Sequence, residues 1–314
     1  MDEILKSLEL YNGANRLTQS EFNDLKLLIG KLKSSRRVRF IYRGDSNVFD
    51  QYKVDSKDVT LLAHYIFCLG AKSLCFFQNK YVDRNSIFSL IWEKFHNKVC
   101  KLDFTSGGTI ERVSEFLKEN PMLNNYFSDE SNKDYFESLS LLSVSKANKV
   151  VDYYLSILHT IGKSGNGESF FLSSSTNYLV ADKFKGDNNI IIYGWLPKRG
   201  IKYRIINYKD IEKNSLFIKS LNLPTYQVPL YPEQSEICIK CGLLPQYIIG
   251  FQYGTKFYIN PNTLKPWNDD IMYDGLDIDQ KEFNDLFNAT KLKKSFVFCD
   301  GNYYMMSKKD ITEV

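Results

Sequence analysis

The chain has 314 residues, of which 43% are hydrophobic and 25% charged, and its 41 basic and 37 acidic side chains give a formal net charge of +4. This balance excludes a mainly disordered chain, and so small a charge excess does not by itself indicate a nucleic-acid partner. The longest apolar stretches are broken by His64, Gly70 and Lys72, so we expect no membrane span. No leader-like segment opens the chain, so we expect it to act in the cytoplasm of the producing cell or of a target cell.

The first half of the chain is predicted to be helical, because apolar residues recur there every three or four positions. A short apolar strand, 38–42, interrupts the helices, and the polar stretch 122–140 is predicted to be irregular. The predicted helices cover residues 2–34, 57–80, 84–97, 109–119 and 145–161.

The second half is predicted to consist almost entirely of strands, so the chain belongs to the α+β class. The clearest element is a C-terminal β-hairpin, in which Asp300-Gly301 joins two β-rich runs, 295–299 and 302–305. The other predicted strands cover residues 169–173, 189–195, 201–206, 226–230, 236–241, 246–252 and 255–260.

Charged and metal-ligating residues give weaker signals. A basic strip, residues 31–43, suits a phosphate-rich ligand or a solvated face. Cys238 and Cys241 have the spacing of a metal-ligand pair, but positions three apart in a strand face opposite sides, so we expect no metal. The six cysteines are instead typical of buried thiols in a reducing cytoplasm.

The first of three informative motifs is Tyr42-Arg43-Gly44, at the end of the first predicted strand. An arginine there presents a planar fork of donors to a pyrophosphate, and the adjacent glycine allows a ligand to approach the backbone. The alternative is a surface charge at the end of a strand.

The second motif is a strand that runs into Ser173, Ser174, Ser175 and Thr176. Hydroxyls at that place can orient a carboxylate and a ribose, although serine and threonine are equally typical of turns and helix caps.

The third motif is Gln234-Ser235-Glu236, which precedes a hydrophobic strand. The carboxylate of Glu236 at the start of the strand, with the amide of Gln234 two residues earlier, is expected to put both side chains on one face. The alternative is a charged strand entry.

Together, and in this order, the three motifs resemble the Arg-Ser-Glu class of ADP-ribosyltransferases. Tyr42-Arg43-Gly44 matches that family's first motif, and Gln234-Ser235-Glu236 matches its third. The serine motif matches with Ser174 in place of the usual central threonine. Ala181 and Phe184 resemble the helix that follows the serine strand in many members.

The resemblance implies a split β-sandwich core with a helical N-terminal half and C-terminal β-hairpins. It implies an N-terminal helical segment (1–35), a catalytic domain (36–260) with a helical insertion at about 57–161, and a β-rich extension (261–314). An insertion around 207–225 accounts for the long interval between the second and third motifs.

The resemblance also implies a catalytic triad of Arg43, Ser173 and Glu236, with NAD as co-substrate. Glu236 is expected to stabilise the developing positive charge on the ribose, Ser173 to orient Glu236, and Arg43 to hold the phosphates. The residues expected to bind NAD are Tyr42, Arg43, Gly44, Ser173, Ser174, Ser175 and Phe184.

Acceptor recognition is expected from Gln234 and from the loop before it, with Tyr226 or Tyr231 as an exposed aromatic anchor. The resemblance implies that glutamine at position 234 goes with a non-arginine protein side chain as the acceptor, and the basic strip favours a nucleic acid such as RNA. We expect a toxin of a toxin–antitoxin or anti-phage defence system, so an antitoxin or immunity protein is an expected partner.

Two other functions stay open: an NAD glycohydrolase that depletes NAD, and a catalytically inactive binding module. Gly162-Lys163-Ser164 lacks the first glycine of a phosphate-binding loop. His64, His96 and His159 lie on predicted helices, and we interpret them as packing or surface residues.

Overall fold

The structure is a computed structural model. It describes residues 38–46, 84–161, 170–187, 190–197, 205–226, 231–240, 248–254, 256–259, 294–299 and 302–307, together with the single positions 23, 27, 30, 62, 66 and 243. Among these residues, no helix combines the length and the apolar character needed to cross a bilayer.

The described elements are a mixture of helices and antiparallel strands, which confirms the α+β prediction. The strands are β1 (Val38–Asp45), β2 (Leu172–Ser175), β3 (Ile190–Pro197), β4 (Ile205–Asn207), β5 (Glu236–Ile239), β6 (Ile248–Tyr253), β7 (Lys256–Ile259), β8 (Lys294–Cys299) and β9 (Asn302–Ser307). The helices are α1 (Arg84–Glu93), α2 (Gly107–Glu119), α3 (Pro121–Ser128), α4 (Lys133–Ser138), α5 (Val144–Ile161), α6 (Tyr178–Phe184) and α7 (Tyr208–Ser220).

The chain folds into two compact units, each assembled from separate stretches. The first contains residues from 1–71, 172–205 and 241–314, and the second contains residues from 72–171 and 206–240. These units do not coincide with the three predicted domains. Strand pairing between distant segments defines the first unit, and a shared helical core defines the second, so chain order does not set the boundaries.

In the first unit, five strands lie in the order β2-β1-β3-β6-β7. β1 and β3 pair antiparallel over their whole length, from Val38 opposite Pro197 to Asp45 opposite Ile190. β3 consists mostly of isoleucine and aromatic residues, and its side chains from 190 to 196 are buried. A strand of that composition suits a position between two neighbours, covered on both faces.

The C-terminal hairpin is confirmed. β8 and β9 pair antiparallel with Cys299 opposite Asn302, which leaves a loop of two residues. Asp300 and Gly301, predicted to form that loop, lie outside the described residues.

In the second unit, the helices enclose a core of aromatic rings. The ring of Phe127 on α3 stacks on Phe95 at 4.3 Å between centroids, and it also contacts Trp92, Phe136 and Tyr154 at 5.3–5.4 Å. α5 crosses this core with ten buried residues. β4 lies beside β5.

The sequence analysis is wrong about the helices in two regions. The stretch 122–140 is helical, because Pro121 begins α3 and the buried Leu123, Phe127 and Phe136 anchor short helices whose other residues are mainly polar. α7 was missed within a region predicted to be strands and an unspecified insertion. The side chain of Asn207 caps it by accepting from the backbone N–H of Asp210 at 3.1 Å.

Candidate active site

Arg43 lies on β1, two residues before Asp45, so both side chains lie on one face of the strand. Its Nη2 forms an ion pair with Oδ2 of Asp45 at 3.0 Å. Its Nη1 donates to the backbone carbonyl of Ser173 at 2.7 Å. The side chain stays 27% exposed, and its buried Nε has no hydrogen-bond partner among the described residues. Arg43 is therefore partly exposed, and a planar guanidinium of this kind suits the recognition of an anion.

Gly44 allows α6 to lie directly on β1. A Cβ at Gly44 would overlap the carbonyl oxygen of Ala181 and lie 2.7 Å from the backbone nitrogen of Lys185. Gly186, with φ of 56°, closes the end of this contact, because a Cβ there would lie 2.5 Å from Cβ of Ser46. The segment formed by α6 and Lys185 thus fills the space that a side chain at position 44 would occupy.

Tyr42 packs inside the first unit. Its side chain is buried, and its ring meets Tyr178 and Tyr193 edge to face at 5.8 and 5.7 Å between centroids. The tyrosine of the first motif therefore holds β1 against α6 and β3.

The serine motif combines strand and cap positions. Ser173 is half-buried and accepts the Arg43 bond through its carbonyl, whereas Ser174 and Ser175 are buried. Ser175 Oγ accepts from the backbone N–H of Asn177 at 2.9 Å, and the Asn177 side chain caps α6. Part of the motif therefore has the turn and cap role that serine favours. Phe184, at the end of α6, is exposed.

Glu236 begins β5 in the second unit. A 3-10 turn, Pro232–Gln234, leads into Ser235, which has a left-handed φ of 48°. The prediction that Gln234 and Glu236 share a strand face is wrong, because the strand starts only at Glu236. The left-handed backbone of Ser235 is strained for a residue other than glycine, and such strain is concentrated at functional sites.

The carboxylate of Glu236 is 5% exposed and held at both oxygens. Oε1 lies 3.1 Å from Nε2 of His159, in the last turn of α5. Oε2 accepts from the backbone N–H of Tyr231 at 3.4 Å. The buried charge is thus compensated by donors, as a buried charge must be.

Cys238, two residues along β5, lies on the same side as Glu236. Burial, followed by the charge of Glu236 and a hydrogen bond to it, raises the pKa of the Cys238 thiol well above its usual value. The ligand-type atoms of His159, Glu236 and Cys238 all lie within 4.8 Å of one another.

The loop before Glu236 is tied to α5 by tyrosine hydroxyls. The Tyr153 hydroxyl donates to the carbonyl of Tyr226 at 2.9 Å and accepts from its N–H at 2.8 Å. Burial raises the pKa of Tyr153 to about 12. Tyr154 donates to Pro224, and Tyr231 donates to Thr160, each at 2.8 Å.

The prediction of an exposed aromatic anchor in this loop is therefore wrong. Tyr226 is half-buried, with its ring edge to face with Phe116 at 4.9 Å, and Tyr231 is also half-buried. Residues 227–230 lie outside the described residues.

A second polar contact joins α5 to β5. Lys240 Nζ lies 2.7 Å from Oδ1 of Asp152, with the two side chains 5% and 18% exposed. Contact of 152 with 240 and of 159 with 236 means that helix and strand run in opposite directions. These two contacts hold the segment that carries Glu236 against α5.

Comparison of the chain with protein-family models, curated proteins and solved structures found no match. The function therefore has to be argued from the chain's own residues.

The structure brings Arg43 and Ser173 together in the first unit, and it surrounds Glu236 with His159, Cys238 and Tyr231 in the second. Sequence reasoning missed the role of His159, which we had interpreted as a packing or surface residue. One signal was available, because Asp152 and His159 are seven positions apart on a predicted amphipathic helix. Polar residues on a buried helix face need partners.

Proposed function

We propose that the protein is an NAD-dependent mono-ADP-ribosyltransferase with an ADP-ribosyltransferase-like fold, in which Arg43, Ser173 and Glu236 act on one NAD molecule. The observation that supports this most is the 2.7 Å hydrogen bond between Arg43 and the serine strand. The two residues are 130 positions apart in the chain, yet two of the three motifs meet there.

Arg43 fits the binding of a pyrophosphate. Its guanidinium is half-buried, and its Nε is an unsatisfied donor among the described residues. Planar donors of this kind bind phosphate oxygens in pairs. Phe184 offers an exposed ring on the neighbouring helix, and on this proposal it stacks on the nicotinamide.

Glu236 supplies the negative charge that the reaction needs. Breaking the bond between nicotinamide and ribose resembles glycoside cleavage, whose transition state carries positive charge on the sugar. A fixed carboxylate stabilises that charge as it develops, and it needs no reorientation if it is already held in place. On this proposal Glu236 also accepts a hydrogen bond from the ribose 2′-hydroxyl, and the Ser173 hydroxyl orients it.

Gln234, just before the strained Ser235, is proposed to face the acceptor. An amide does not take a proton from a guanidinium as a carboxylate does, so a nucleic acid or a non-arginine side chain is the proposed acceptor. A role as a toxin held by an antitoxin or immunity protein, within a cell's own defence, belongs to the same proposal.

NAD hydrolysis is the second candidate. The observation that favours it is the pinned loop before Glu236, where Tyr226 and Tyr231 are half-buried and tied to α5. Half-buried aromatic residues give an acceptor less to dock on, and on this second proposal water takes the ribose.

The test is incubation of purified protein with NAD labelled on the adenylate phosphate, together with a cell lysate, with and without nuclease. Glu236→Gln is the inactive variant, and Glu233→Gln, at an exposed carboxylate three residues earlier, is the matched control. We expect label in a macromolecule with the wild type and Glu233→Gln but not with Glu236→Gln. Nuclease sensitivity of the label identifies RNA or DNA as the acceptor. Free ADP-ribose alone favours the hydrolase, and unconsumed NAD in every sample contradicts both candidates.

A further inference from the structure

We propose that His159 is a positioning residue, whose Nε2–H holds Oε1 of Glu236 so that the carboxylate is oriented for the ribose. This inference rests on the proposed function and names a residue that the three motifs do not include. It is carried by the contact of 3.1 Å between the two side chains.

The imidazole is itself fixed from two sides. It belongs to the last turn of α5, and its ring packs edge to face with Phe171 at 5.5 Å between centroids and an interplanar angle of 72°. The side chain is 22% exposed. A ring held by a helix and by an aromatic neighbour sets the direction of the N–H bond that it donates.

The contact with His159, at 3.1 Å, is shorter than the bond from the Tyr231 N–H to Oε2, which measures 3.4 Å. Loss of the imidazole removes the contact at Oε1. On this proposal, the carboxylate then loses the direction in which the sugar needs it. An imidazole that donates through Nε2–H fixes the direction of the carboxylate that accepts from it.

A metal ion is the competing explanation for the cluster of His159, Glu236 and Cys238, whose ligand-type atoms lie within 4.8 Å of one another. The distance between His159 and Glu236 is that of a hydrogen bond, and the test below includes a bound metal ion as an outcome that overturns the inference.

The test compares His159→Gln, whose amide places an N–H near the position of Nε2, with His159→Phe, which keeps a ring without a donor. Nicotinamide release gives kcat and KM for NAD, and thermal unfolding gives Tm. We expect His159→Phe to lower kcat about 10- to 100-fold with KM within about threefold of the wild type. We expect His159→Gln to keep kcat within about fivefold and both Tm values to stay within a few degrees.

His96→Asn is the matched control. His96 is a buried histidine in the same unit. Its Nδ1 lies 2.8 Å from the carbonyl oxygen of Phe127, and no described contact joins it to Glu236. We expect this variant to lower Tm without changing the ratio of kcat to KM.

A second readout does not depend on turnover. In protein labelled with ¹⁵N-histidine, we expect the His159 signal to show a proton on Nε2, and we expect that signal to move in Glu236→Gln. An unprotonated Nε2 overturns the inference, and so does a stoichiometric zinc ion whose chelation shifts the His159 signal.

The kinetic outcomes separate the two proposals. A wild type that turns over NAD while His159→Phe keeps full kcat, or while His159→Gln falls as far as His159→Phe, overturns the positioning role alone. A wild type without any turnover overturns the proposed function and the positioning role with it, even where the ¹⁵N signal shows the His159–Glu236 bond.

Discussion

The arginine of the first unit and the carboxylate of the second differ in how completely their polar atoms are satisfied. Arg43 is partly exposed and keeps an unsatisfied Nε among the described residues. Glu236 is 5% exposed and is bonded at both oxygens. On the proposed function, the difference matches the two roles: Arg43 is partly open to a ligand, and Glu236 is oriented before the ligand arrives.

The largest expected effect tests whether the helix–strand contact fixes the second unit. We expect Lys240→Met to lower the free energy of unfolding by about 2 to 4 kcal/mol, because it leaves the half-buried carboxylate of Asp152 without its partner. Urea unfolding measures the change. Adding Asp152→Leu is expected to restore most of the loss, and failure to restore it means that the pair is not what links α5 to β5.

The second largest expected effect is that of a substitution at Arg43. We expect Arg43→Lys to raise KM for NAD about tenfold, because lysine keeps the charge beside Asp45 but loses the planar fork of donors. Steady-state kinetics measure it, with Tm as the control for folding. An unchanged KM means that Arg43 does not bind the phosphates, and it contradicts the difference proposed between Arg43 and Glu236.

Tyr153→Phe tests the clamp on the loop before Glu236. We expect the free energy of unfolding to fall by about 1 kcal/mol, because two hydrogen bonds to the backbone of Tyr226 are lost and only partly replaced by water. Denaturant titration measures the fall. Tyr135→Phe, which removes a single exposed bond to the carbonyl of Leu221, is the control and is expected to change stability less.

Several elements of the fold could be predicted because they are local. The run of isoleucine and aromatic residues in β3, the stripe of α5 and the two-residue hairpin loop each carry their own pattern. The region 122–140 did not, because its helices are short and are held by a few aromatic residues in a shared core. Short helices depend on tertiary packing more than on periodicity.

The candidate site also has features that a local sequence pattern predicts and features that depend on tertiary contacts. The position of Arg43 at the end of β1 follows from the sequence, and so does the start of β5 near Glu236. The left-handed Ser235, the cap at Ser175 and the contact of His159 with Glu236 do not, because each depends on where distant segments meet. The contact between Arg43 and Ser173 was expected only through the resemblance.

The smallest effect concerns Cys238, beside the satisfied carboxylate. Burial and the Glu236 charge raise the pKa of its thiol, so the thiolate is scarce near neutral pH. We expect no alkylation of Cys238 by iodoacetamide at pH 8 in the folded protein and full alkylation after denaturation, as read by mass spectrometry. Rapid labelling of the folded protein indicates that Glu236 lies in a more open setting than described.

The most direct measurement of the central claim is nicotinamide release from NAD by purified wild type and by Glu236→Gln, followed by chromatography. The account predicts steady release by the wild type and a rate lower by about 100- to 1,000-fold in the variant, because the fixed charge beside the ribose is lost while its shape is kept. Equal release by the two proteins, or none by the wild type, contradicts it.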